Sequence, residues 1–126
     1  MLAALGMFVF ETSSAPFAEL ARRRDWRHAR TDLYGARAAS QFLGPGEDVV
    51  TISGTLVPGL AGKYSSIERI AEMADTGDAH QLADGDGRIL GMFTIEGLDE
   101  THKYLTERGK ARMIDFSITL KRVADA

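Results

Sequence analysis

No cysteine occurs among the 126 residues. That absence excludes disulfides, thiolate nucleophiles and cysteine-based zinc sites, and it leaves packing or assembly to stabilise the fold. A long apolar run is missing too. The opening MLAALGMFVF has no basic residue before it and is about half the length a membrane-spanning helix needs. Its β-branched and aromatic content reads as a buried first strand, and no membrane is expected. Positive charge is also in short supply overall, with a formal net charge of −3. That balance argues against the broad electrostatic footprint of nucleic-acid binding, so nucleic acid is not expected as a partner.

What is present is an ordinary globular composition. At 44% hydrophobic and 26% charged, the chain is far from the low-hydrophobicity, high-charge signature of disorder. A chain of this length buries roughly two-thirds of the surface exposed when unfolded. A single domain over residues 1–126 is expected.

The hydrophobic pattern predicts an α+β domain. Residues 5–10 are almost wholly apolar and fit a strand covered on both faces. ETSSA at 11–15 supplies polar turn chemistry before Pro16. Residues 16–33 form either a short helix or an extended arm. Gly44, Pro45 and Gly46 break the pattern ahead of an alternating strand, with Val50, Ile52, Gly54 and Leu56 on one face. Ser65 and Glu68 have the spacing of a capping box, followed by Ile67, Ile70, Ala71 and Ala74 as the apolar stripe of a helix of about ten to twelve residues that Gly77 ends. Asp84 to Gly87 is a turn leading into a strand at 88–96, with Ile89, Phe93 and Ile95 on one face. Ile114, Phe116, Ile118 and Leu120 alternate inward along a last strand. These elements give a mostly antiparallel sheet, or a small sandwich or barrel, with one covering helix.

The residues that carry chemistry are scattered. His28, His80 and His102 have no metal-ligand spacing. Asp84 and Asp86 lack the remaining ligands of a calcium loop. LGPGED and GDGRILG match neither phosphate-binding pattern. No serine lies in a nucleophile elbow. A cell-wall hydrolase would need two of the glutamates facing each other across a cleft. The chain is therefore expected not to be an enzyme and to hold no cofactor or metal. One local feature is unusual: Arg22, Arg23, Arg24, Arg27 and Arg30 fall within ten residues with one acid, Asp25, and with Trp26 among them. Tryptophan and arginine are enriched at the centre of protein interfaces. Arg22, Arg23, Arg24, Trp26, Arg27 and Arg30 are accordingly the candidate interface residues, against a solvated helix face or a nucleic-acid patch.

Several segments stand in the order and spacing of a known family: LGMFVF at 5–10, WRH at 26–28, GAR at 35–37, QFLGPGED at 41–48, TISGTLVP at 51–58, MADTG at 73–77 and FSITLKRV at 116–123. Through them the chain resembles the tail protein U (GpU) family of temperate contractile-tailed phages, over almost its whole length. The resemblance implies a structural subunit of the virion tail, required for tail assembly, placed at the baseplate near the inner tube and central spike, and assembled in the bacterial host cytoplasm. In R-type tailocins the similar subunit is called the ripcord. The implied partners are other tail proteins, namely tube, hub or spike, baseplate and sheath-initiating subunits. A ring of copies is implied as well, six if it follows the tail's symmetry. Alternatives are a tail-tube terminator or joining ring, and a tail-associated cell-wall hydrolase.

Overall fold

The computed structural model describes residues 2–11, 17–31, 35, 39–58, 62–107, 109 and 112–123. Most of the polar turn expected at 11–15, and much of GAR at 35–37, lie outside them. Among the described residues seven strands, β1 (Ala3–Leu5), β2 (Phe8–Phe10), β3 (Phe17–Thr31), β4 (Ala39–Leu56), β5 (His80–Asp84), β6 (Ile89–Lys103) and β7 (Met113–Arg122), form one sheet with one helix, α1 (Tyr64–Asp75). The strand order is β2-β1-β5-β6-β7-β4-β3, and every neighbouring pair is antiparallel. The sheet is open among the described residues, with β2 and β3 as its edges, so the barrel alternative does not hold.

The inward alternations at the centre of the sheet come out as expected. Val50, Ile52 and Leu56 on β4 and Ile114, Phe116, Ile118 and Leu120 on β7 are buried in one cluster with Leu5, Phe10, Leu82 and Phe93. Leu56 pairs with Ile114 and Ile52 with Ile118, so the branched side chains of both strands stack on the same face. Opposite them, Thr51, Ser53 and Thr55 pair with Thr119, Ser117 and Asp115.

The helix covers this core through Ile67 and Ile70. It ends as expected, with Gly77 in the left-handed region at φ +73° and its amide donating to Ala74 O at 3.1 Å. Its start differs from the capping box. The N-cap is Lys63, with no side-chain cap, so Ser65 already lies inside the first turn. Burial of Ile67 and Ile70 sets the start instead, and the Tyr64 hydroxyl donates to Glu100 Oε1 on β6 at 3.3 Å.

Three other expectations change. The apolar N-terminus is a hairpin rather than one strand: Leu5 pairs with Phe8, and Gly6 at φ +59° makes the tight turn. It is not covered on both faces, because Met7 is 88% exposed while Leu5 and Phe10 are fully buried. On β6 only Phe93 of the three expected inward residues is fully buried, and Ile89 is exposed. Irregularities at Leu82/Ala83 and Ile95/Gly97 break the alternation there. Finally, Gly44, Pro45 and Gly46 do not precede β4 but lie within it. Of the two readings of residues 16–33 the extended one holds, since they contain the long strand β3.

Candidate protein interface

β4 pairs with β7 only from Val49 to Leu56, whereas it pairs with β3 all the way back to Ala39. Residues 24–31 of β3 and 39–48 of β4 therefore leave the sheet as a two-stranded ribbon. Two register shifts deform it, between Arg24 and Trp26 and between Arg27 and His28. The first is where the glycine is needed. A Cβ on Gly46 would lie 1.7 Å from Asp25 Oδ1, and that oxygen accepts from the Glu47 amide at 2.7 Å. Pro45 is tolerated because its other edge has no strand to serve.

The ribbon holds the candidate residues, and it separates them into two groups. Arg22 lies at its root and is used internally. Its guanidinium donates to both carboxylate oxygens of Asp48, at 2.9 and 2.6 Å, and Arg122 from the end of β7 approaches the same carboxylate at 3.5 Å. Asp48 is 8% exposed. The Arg22 hydrogen bonds, helped by Arg122, hold its carboxyl below the usual carboxylate range against the opposing cost of burial. The same bonds raise the pKa of Arg22.

Arg23, Arg24, Arg27 and Arg30 are exposed and make no ion pair among the described residues. Arg24 lies 6.0 Å from the Trp26 ring, within cation–π reach. Trp26 is 55% exposed. Sequence reading passed over its apolar companions, Phe42 at 59% and Leu43 at 58% exposure, although they stand together just before the Gly-Pro-Gly break. Phe42 pairs with His28, their rings edge-on at 5.4 Å. At the ribbon's root a groove of about 550 Å³ is lined by Arg24, Trp26, Pro45, Asp48, Arg122 and others.

Apolar side chains and unpaired guanidinium groups thus share one projecting element. Guanidinium groups suit bidentate pairing with carboxylates, and the aromatic and leucine side chains supply area to be desolvated. Among the described residues no group of three or more His, Asp or Glu is placed to hold a metal ion, and no helix is long and apolar enough to cross a membrane. A family model described as Phage P2 GpU matches residues 6–125. A comparison with curated proteins found no match.

Proposed function

The chain belongs to the Phage P2 GpU family, and from that premise we propose that it is a non-enzymatic subunit of the baseplate of a contractile tail or tailocin, docking on its neighbours through the ribbon of β3 and β4. Membership makes it a structural protein of a phage tail, located in the virion tail and in contact with other tail proteins. The finer reading places it around the inner tube near the central spike, in a ring that follows the tail's symmetry and whose formation assembly requires.

The observation that carries the docking role is the ribbon itself. A two-stranded extension that leaves the sheet and exposes Trp26, Phe42 and Leu43 contributes little to the chain's own core. Such exposure is costly in a free monomer and useful in an assembly. A cryo-EM map of purified particles tests the placement. Density in a ring at the baseplate supports it, and density at the head-proximal end, where a tube terminator would sit, overturns it.

A further inference from the structure

The ribbon and its root present four arginines, Arg23, Arg24, Arg27 and Arg30, with no ion pair among the described residues, and the same chain offers carboxylates on a different surface. Along α1 the exposed positions Glu68, Glu72 and Asp75 are spaced i, i+4 and i+7, so they form one stripe on the face turned away from Ile67 and Ile70. Asp78, also exposed, follows shortly after the helix end. Glu72, Asp75 and Asp78 make no ion pair among the described residues.

The arrangement of these acids runs against the helix's own electrostatics. A helix favours anions in its first turn and cations in its last, yet α1 has no acidic residue in the first turn and no basic residue in the last. Its C-terminal carbonyls and the carboxylates of Asp75 and Asp78 add to one concentrated negative end. The Gly6–Met7 turn is bound to Gln81, three residues after Asp78 in the chain, by the Gly6 amide at 2.8 Å, and Met7 is 88% exposed. The exposed carboxylates of this helix end complement in charge the exposed arginines that stand with Trp26, Phe42 and Leu43.

The two surfaces do not overlap. The ribbon extends from the β3 edge beyond the end of β7, and α1 packs over β6. We propose that the ribbon of one copy docks on the acidic end of α1 of a second copy. The contact is head-to-tail, and repeated contacts of that kind close into a ring when the rotation permits. The inference rests on the ribbon being a docking element and names its partner.

A charge exchange tests it in the full chain. One variant carries Arg23→Glu and Arg27→Glu, the other Glu72→Arg and Asp75→Arg; all four positions are exposed. Sedimentation velocity is expected to find the unaltered chain self-associating at about 0.05 M salt and dissociating as salt screens the contact. Each variant alone weakens association about tenfold or more. An equimolar mixture of the two restores it, because each ribbon then meets a helix of opposite charge. The neutral variants Glu72→Gln and Asp75→Asn, checked by circular dichroism, serve if the arginine variant misfolds. An unaltered chain that stays monomeric in low salt, or a helix variant that associates normally, overturns the proposal. Incorporation into particles separates the two levels. If the ribbon variant is excluded and the helix variant enters normally, the ribbon docks on a different protein and only the second-copy partner falls. If both enter normally, the docking role of the ribbon falls too.

Discussion

Asp48 stands where the ribbon meets the sheet, and its carboxylate holds together three strand segments through Arg22 on β3 and Arg122 on β7. Arg122 itself lies over Gly91 on β6, where a Cβ would come within 2.8 Å of its Nε. Removing the carboxylate takes away both hydrogen bonds of the Arg22 guanidinium to it. Asp48→Ala is expected to lower unfolding stability by about 2 kcal/mol, in line with the loss of charge-assisted hydrogen bonds, as read from urea unfolding. The pH dependence follows from the depressed pKa of Asp48. Its stabilisation is fully present above the unfolded value of about 4 and is lost as pH falls through the lower folded value. Stability should therefore fall more steeply on acidification below about pH 4 in the unaltered chain than in Asp48→Asn. Trp26→Ala, by contrast, removes an exposed ring and should change stability by less than about 0.5 kcal/mol, while the variant fails to enter particles in a complementation assay.

Elements built on alternation were legible in the sequence; elements shaped by their neighbours were not. β7 reads directly because each of Ile114, Phe116, Ile118 and Leu120 meets the same core. β3 carries no such pattern, since its ribbon half has a partner on one side only and no core beneath it, and arginines alone do not distinguish a helix from an edge strand. The Gly-Pro-Gly segment reads as a break, but bulges let an antiparallel pair absorb it. Of the candidate interface, the cluster of arginines with Trp26 stands out in the sequence, whereas the withdrawal of Arg22 into an ion pair depends on Asp48, 26 residues away. Two element-level outcomes follow. Gly77→Ala places a side chain at φ +73° and should cost about 1 kcal/mol, measurable as a shift of the urea midpoint. In hydrogen exchange, amides of the free chain at 24–31 and 40–48 should exchange well before those at 49–56 and 113–122, because only the latter face the core.

At the scale of the molecule, the N-terminal hairpin closes the fold by pairing β1 with β5, nearly the whole length of the chain away from β7. Ala3, Leu5, Phe8 and Phe10 are buried in the same cluster as Ile52 and Ile118. Deleting residues 2–11 uncovers that cluster and leaves β5 as an unprotected edge. The truncated chain is expected to collect in the insoluble fraction or to bind a hydrophobic dye, whereas a chain lacking 27–44 and joined by a short turn stays folded and is lost only from particles.

The arginines of β3 have one more effect. An open sheet with a 15-residue edge strand invites a second copy to lie against it edge to edge. Two β3 strands brought together antiparallel would set arginine against arginine along their length, and the bulges would put their hydrogen-bonding groups out of step. Free subunits are thereby kept from zipping into one another along this edge.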